Sequence, residues 1–535
     1  MKSLCCVVQS IKRFSSSQRP VVKLNSDRFG SLFPTDIRVE RLRWIKNSDF
    51  DTPTPSRTVK ELQVPLSLPK KKRERVIKLL NSEPEPSTSH HCLIECSRQE
   101  FNLYENQLGK DTALCSQFWK KSKYCDDWFV IKRRTKIAKQ FVEWGNSWEC
   151  YVPDRLHPTV KNVLEELKLE KPTYVQSQCL KMFTSPHHLF IAAETGSGKT
   201  IAYAAPLVTR LCCQKQKGVS EKAIILAVTS SLKAQISDLL SKFVSNTNLT
   251  VATFYSKADV TDDWDILVGT PGQVEKYLRK SKQLHTVKHL VLDEADMLLD
   301  ESFTDALTEI FSLIPIAYSV TNTVDMSSGA RIIFSSAICP EQLQNIADAV
   351  VDRQYLTYVK SSKLHFLSES IEMKFIRVRE TDKINRLKEL LVHDMSRGEL
   401  NETIVFCKNR ATASYVHQQL RSLQYEVVLW RSPNDGYDKT SRIFVATDAL
   451  ARGIHLPRLS HVINYDLTPY NSEFLHRIGR VGRLGSSYRG RVTSFVRTKN
   501  EVRITNEVEL ASRLGRPLAN IEADIAGKIR RLKKV

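Results

Sequence analysis

The stretch Ala193-Glu194-Thr195-Gly196-Ser197-Gly198-Lys199-Thr200 constrains the fold of this chain more than any other. An apolar run, Leu189-Phe190-Ile191-Ala192, leads into it, and a helix-compatible run from Ile201 to Leu211 leads out. Strand, glycine-bearing turn, Lys-Thr and helix, in that order, lay out a phosphate-binding loop. Gly196 and Gly198 let the backbone curl so that successive N–H groups point inward, and the helix N-terminus adds its positive dipole end. Lys199 can then reach the β- and γ-phosphates of a nucleotide, while the Thr200 hydroxyl can ligate Mg²⁺. Ala193 stands where the general pattern has its first glycine.

Such a loop works only with a second strand that delivers carboxylates. His289-Leu290-Val291-Leu292 supplies one, running straight into Asp293-Glu294-Ala295-Asp296. A short buried strand of this kind places its acidic end at the C-terminal edge of a parallel sheet, where open α/β folds bind ligands. Asp293 is then positioned to hold hydrated Mg²⁺ and Glu294 to orient an attacking water. Carboxylates also stabilise helix N-termini. The upstream loop favours the metal-and-water reading.

Asp293 to Asp296 resemble the signature of the DEAD-box ATP-dependent RNA helicases, and the resemblance covers roughly residues 150–515. Lys171-Pro172-Thr173-Tyr174-Val175-Gln176 resembles the adenine-reading motif of that family. The resemblance implies that Gln176 pairs with the base edge and that Tyr151 packs beside the base. It implies ATP and Mg²⁺ as cofactors, with Ala193 to Thr200 around the phosphates and Thr200 and Asp293 at the metal. Thr270-Pro271-Gly272 resembles an element that holds RNA backbone, with Gln273 where arginine is usual. Ser336-Ala337-Ile338 resembles the Ser-Ala-Thr motif that couples hydrolysis to RNA.

Further on, Thr447-Asp448 and Ala451-Arg452-Gly453 resemble the fifth helicase motif, and His476-Arg477-Ile478-Gly479-Arg480-Val481-Gly482-Arg483 resembles the sixth. The arginines at 477, 480 and 483 fall at i, i+3 and i+6, so they project toward a shared side of a helical turn or loop. Gly479 and Gly482 are unfavourable in a mere surface helix. By resemblance, Arg480 and Arg483 are arginine fingers, and His476 links the cleft to the acidic motif.

Apolar runs at 223–227, 265–268, 290–292 and 331–334 alternate with helical stretches, and the same alternation resumes at 374–378, 403–406, 426–429, 442–446 and 461–464. Strand–helix alternation predicts parallel sheets with right-handed crossovers. The expected class is therefore α/β, with two parallel-sheet domains in tandem, at 151–360 and 373–515, joined by a hydrophilic link near 360–372. Both resemble the RecA-like domains of the helicases. A basic tail, 516–535, follows.

Residues 27–150 show no sustained period and are punctuated by proline, so a mostly irregular, partly disordered N-terminal extension is expected. Trp119, Trp128, Trp144 and Trp148 lie among lysines and arginines there. They suit stacking on RNA, and they suit docking the extension onto the core. Residues 1–26 hold five basic residues, several serines and no acid, the composition of a mitochondrial transit peptide. Pro69-Lys70-Lys71-Lys72-Arg73 offers a competing nuclear address.

Over 535 residues, Lys and Arg exceed Asp and Glu by 80 to 59, a formal charge of +21 that favours a polyanionic partner. No apolar run approaches the ~20 residues needed to span a bilayer. The 12 cysteines include no Cys-x-x-Cys pair; Cys92 and Cys96, near His90 and His91, come nearest to a metal cluster and read as ordinary thiols.

Several RNA-side positions depart from the family pattern. Val228-Thr229-Ser230-Ser231-Leu232 stands in place of Pro-Thr-Arg-Glu-Leu, and His455 in place of an aspartate that contacts ribose. Only residues 431–441 separate Trp430 from Arg442, where the family fits a helix that approaches RNA. Two readings stay open: an RNA helicase, or an ATP-gated RNA clamp or assembly scaffold with little unwinding. A DNA translocase is disfavoured by Gln176 together with Asp293–Asp296. Leu292 to Phe303 and Ser361 to His365 resemble a mitochondrial branch of the family associated with large ribosomal subunit assembly, which implies ribosomal RNA and mitoribosomal assembly intermediates as partners.

Overall fold

The computed structural model describes residues 92–521 except for interruptions, chiefly 99–112, 134–144, 149–155, 255–262, 320–328, 340–346, 431–441, 449–455 and 483–489. All described residues belong to one compact unit. The transit-peptide and nuclear-signal readings, Trp144, Tyr151, His455 and Arg483 lie outside them.

In chain order the strands are β1 Cys92–Cys96, β2 Trp128–Arg133, β3 His188–Ala192, β4 Lys222–Leu226, β5 Val251–Thr253, β6 Ile266–Gly269, β7 Val287–Asp293 and β8 Arg331–Ser336. They continue with β9 Leu356–Lys360, β10 Ile371–Arg377, β11 Glu402–Phe406, β12 Val427–Leu429, β13 Ile443–Ala446, β14 Leu459–Asn464 and β15 Gly490–Val496. The first lobe is a parallel sheet in the order β5-β6-β4-β7-β8-β3-β9. Its central strands are buried on both faces: Leu189 and Ile191 join one apolar layer, Phe190 and Ala192 the other. That is why β3 reads as a continuous apolar run rather than an alternating one.

The second lobe has a parallel core, β10-β15-β14-β11-β13-β12. Its first strand begins at Ile371, three residues before the expected start at Lys374. The sheet does not stop there. β2 pairs antiparallel with β10, setting Phe129 opposite Phe375, and β1 pairs antiparallel with β2. Two pieces of the N-terminal extension are thus strands of the second lobe, while the rest of its described residues are turns and irregular chain.

Aromatic burial explains the attachment. Trp119 is 1% exposed and packs 5.5 Å from Phe129, whose ring stacks 5.0 Å from Phe375. The Arg377 guanidinium donates from Nε to the Trp119 carbonyl at 2.9 Å. Trp119 therefore docks the extension onto the core instead of facing a ligand. Trp148 does likewise on the first lobe, buried and donating from Nε1 to the Leu169 carbonyl at 2.8 Å.

The described residues of the link between the lobes make defined contacts. Ser361 donates its N–H to Ala192 O at 2.9 Å, Leu364 packs on the first lobe's core and Leu367 on the second's.

Candidate functional site

The Ala193–Thr200 loop follows β3 as expected and opens the helix Lys199–Gln216. Gly196 and Gly198 have φ of 83° and 82°, in the left-handed region that glycine enters without a Cβ penalty. A Cβ on Gly198 would also lie 2.3 Å from Gln176 Nε2. The Lys199 ammonium donates to the carbonyls of Ala193 at 2.8 Å and Glu194 at 3.1 Å, which holds it across the mouth of the loop. Burial lowers the Lys199 pKa, opposed by the nearby Asp293, Glu194, Asp296 and Glu294 carboxylates.

Gln176 sits in a reciprocal cap at the start of the helix Tyr174–Met182: Thr173 N donates to its Oε1 at 2.8 Å and Thr173 Oγ1 accepts from its N–H. Its Nε2 donates to Gly198 O at 3.2 Å, so the adenine-motif residue is wired to the phosphate loop and keeps a second amide hydrogen. Lys168, just ahead of the Lys171–Gln176 segment, holds φ at 57°, in the left-handed region.

Asp293 ends β7 beside the helix that carries Thr200. Its Oδ2 accepts from Tyr203 OH at 3.0 Å and from Thr200 Oγ1 at 3.4 Å; its Oδ1 accepts from Ser335 Oγ at 2.8 Å and from Glu294 N at 3.0 Å. Burial pushes the Asp293 pKa up, while the Ser335 hydrogen bond pulls it down and the neighbouring Glu294 pushes it further up. Thr200 and Asp293 offer the hard oxygen donors that Mg²⁺ prefers. Glu294, with a left-handed φ of 53°, turns its carboxylate into the cleft, and Glu294 Oε2 is buried without a hydrogen-bond partner. A buried acidic pocket with an orphaned oxygen fits a divalent cation and a positioned water.

Tyr203 and Ser335 were not singled out by sequence reasoning. A signal existed for each: Tyr203 is one helical turn past Lys199, on the same face. Ser335 is the register partner of Asp293 on the neighbouring strand.

The second lobe completes the site. His476 Nε2 lies 2.7 Å from Asp296 Oδ2, and Ser336 Oγ donates to Asp296 Oδ1 at 3.0 Å. Arg480 Nη2 stands 3.8 Å from Glu294 Oε1. Gly479 packs against the phosphate loop so closely that a Cβ there would meet Thr195 Oγ1 at 1.5 Å.

Of the three arginines, the two described ones, Arg477 and Arg480, do not share a side. The helix ends at Ile478, and Arg477 turns back into its own lobe. There it makes a bidentate pair with Asp448, at 2.6 and 2.7 Å, and donates to Asn464 Oδ1 and Asp466 O. Arg477 is an internal strut: it sits within the helix Asn471–Ile478 and is held by these partners, whereas Arg480 follows the helix end and reaches toward Glu294.

On the expected RNA side, Gln273 caps its own helix and accepts from the buried Lys233 ammonium at 3.3 Å. Burial lowers the Lys233 pKa. Among the described residues no group of three or more His, Cys, Asp or Glu is disposed to hold a metal ion; His90 and His91, beside Cys92 and Cys96, lie outside the described residues. No described helix is long and apolar enough to cross a membrane.

The DEAD/DEAH box helicase model matches residues 173–346, and the Helicase conserved C-terminal domain model matches residues 382–485. The probable ATP-dependent RNA helicase DDX28 of Mus musculus is 31% identical over 468 residues, which span 81% of this chain and 86% of that one. Its Homo sapiens counterpart is 28% identical over 522 residues, 91% of this chain and 96% of that one. Among solved structures, S. cerevisiae Dbp5 bound to RNA and ADP BeF3 superposes with a TM-score of 0.58 at 23% identity, over 73% of this chain and 99% of that chain. Mss116p bound to ssRNA and AMP-PNP gives 0.56 at 20% identity, over 70% and 80%. At these identities the two structures establish the shared fold.

Proposed function

Because the chain belongs to the DEAD-box ATP-dependent RNA helicases, we propose that it hydrolyses ATP with Mg²⁺ to clamp and locally unwind or remodel structured RNA. One observation carries the reading. The hydrogen-bonded path Ser336–Asp296–His476 joins the hydrolytic strand ends of one lobe to the arginine-bearing helix of the other.

Gln176 and Tyr151 take the adenine, the loop N–H groups cradle the phosphates, and Lys199 leaves its carbonyl partners for the β- and γ-phosphates. Thr200 and Asp293 would hold Mg²⁺, which would supply neutralisation of the phosphate charge. Glu294 orients the water that attacks. Arg480 and Arg483 stabilise the negative charge that develops, a contribution of about 10³–10⁵ in rate in related phosphoryl-transfer enzymes. Lobe contact through His476 assembles these groups only when the cleft is shut, and the same closure forms a groove that grips RNA backbone rather than base edges.

The serine-rich basic start supports mitochondrial residence, and by extension a role on ribosomal RNA in large-subunit assembly intermediates. The short 431–441 stretch favours a second reading, an ATP-gated RNA clamp or scaffold with little unwinding. ATP hydrolysis measured with RNA, with DNA and with neither, beside displacement of a short RNA duplex, tests both. RNA-specific stimulation with strand displacement supports a helicase. Stimulation without displacement supports the clamp, and equal stimulation by DNA defeats both.

A further inference from the structure

His365 is the one residue of the inter-lobe link that touches a first-lobe backbone with its side chain and a second-lobe backbone with its own carbonyl among the described hydrogen bonds. Its Nε2 accepts from the Cys339 N–H at 3.1 Å, three residues beyond Ser336. Its carbonyl accepts from the Leu518 N–H at 2.9 Å, and Leu518 is buried in the second lobe's core. A few residues earlier Ser361 donates to Ala192 O, at the root of the phosphate loop. His365 holds φ at 69°, a left-handed conformation that costs a non-glycine residue free energy and persists only where its surroundings over-determine it.

We propose that His365 is a positioning residue that fixes the shut arrangement of the two lobes, by receiving Cys339 on its ring and Leu518 on its carbonyl. The hinge is then a strut with defined partners, and its geometry is transmitted to the Ser336 end of the Ser336–Asp296–His476 path. The ring must be neutral at Nε2 to accept, in line with burial and the nearby Lys360 charge, which push its pKa down to about 4. The role rests on the proposed function, because it matters only if lobe closure governs RNA binding.

Two substitutions separate the ring from the backbone. His365→Gly removes the acceptor and keeps the left-handed backbone at no cost. His365→Gln returns an acceptor near the Nε2 position. RNA affinity is read with a short uridine homopolymer, with AMP-PNP and without nucleotide, and amide exchange is read at Cys339. His365→Gly should weaken RNA binding in AMP-PNP by roughly 3–10-fold, the effect of losing one buried hydrogen bond, and leave nucleotide-free binding unchanged. Cys339 exchange should quicken, and His365→Gln should recover most of both effects. Wild-type behaviour of His365→Gly, or equal losses in both variants, overturns the inference. Should the unaltered protein bind RNA equally with and without AMP-PNP, the proposed function fails. Cys339 exchange then decides this inference alone, with unchanged exchange in His365→Gly overturning it.

Discussion

His476 Nε2 and Asp296 Oδ2, 180 residues apart in sequence, are 2.7 Å apart in space, and both side chains are almost fully buried. The last acidic residue of the Asp293–Asp296 run is therefore shared between lobes, since its other oxygen accepts from Ser336. His476→Ala leaves a buried carboxylate oxygen without its cross-lobe donor. A hydrogen bond to a charged group contributes about 1.5–3 kcal/mol, so RNA-stimulated hydrolysis should fall by roughly 10–100-fold. ATP affinity, set mainly within the first lobe, should change little. Steady-state hydrolysis beside nucleotide titration checks both; a parallel loss of ATP affinity would assign His476 to nucleotide binding instead.

Gly479 is the second point of lobe contact. A Cβ there would meet Thr195 at 1.5 Å from Oγ1 and 2.6 Å from Cβ, and no side-chain rotation relieves both. Gly479→Ala should thus hold the lobes apart and slow hydrolysis while the isolated second lobe folds normally. Combining it with Thr195→Gly should recover part of the rate. Hydrolysis by the single variant at the unaltered rate would show that the lobes meet differently during turnover.

Much of the site was legible because its chemistry is local. The loop Ala193–Thr200, the Asp293–Glu294 strand end and Gln176 each sit in a short segment whose apolar run, glycines or cap fix its shape. What stayed hidden depends on distant partners. β1 and β2 are short strands in a stretch with no sustained apolar period, and the pairing of β2 with β10 joins residues such as Ile131 and Met373 that no sequence window spans. The inward turn of Arg477 was hidden for the same reason: its partners Asp448, Asn464 and Asp466 come together only in the folded sheet.

Burial of neutral histidines makes stability depend on pH. His188 accepts from the Ile332 N–H at Nδ1, at 2.9 Å, and faces Ala317 O at 2.6 Å with Nε2; burial pushes its pKa down to about 4. A second proton would set N–H against N–H. The unfolded chain takes that proton near pH 6.5, so the folded state is fully favoured above this value and loses stability as pH falls from about 6.5 to 4. The full loss is on the order of 3 kcal/mol for His188. His365, with its pKa pushed down to about 4, adds in the same direction and window. Thermal unfolding followed from pH 7.5 to 4.5 should show the midpoint dropping, and His188→Asn should flatten the slope while lowering the starting value. A midpoint independent of pH would mean that these rings are charged or exposed.

The extension supplies the last prediction. Residues 92–133 do more than cover β10. Glu509, fully buried on the helix Lys499–Leu514, accepts from Cys115 N at 2.8 Å, from Ser116 N at 3.2 Å and from Ser116 Oγ at 2.9 Å, and pairs with Arg513. Removing the extension leaves that carboxylate short of three donors and the Arg377 guanidinium short of the Trp119 carbonyl. It also exposes Phe375, which Phe129 covers. A chain beginning at Thr135 should therefore carry a much less stable second lobe than one beginning at Cys92, although both keep every helicase motif. Trp119→Ala, which empties a fully enclosed site, should by itself cost about 3–5 kcal/mol. Thermal unfolding of the three chains, with second-lobe melting followed by amide exchange in β15, tests this. If the chain beginning at Thr135 melts with the one beginning at Cys92, the two added strands are ornament and the second lobe ends at β10.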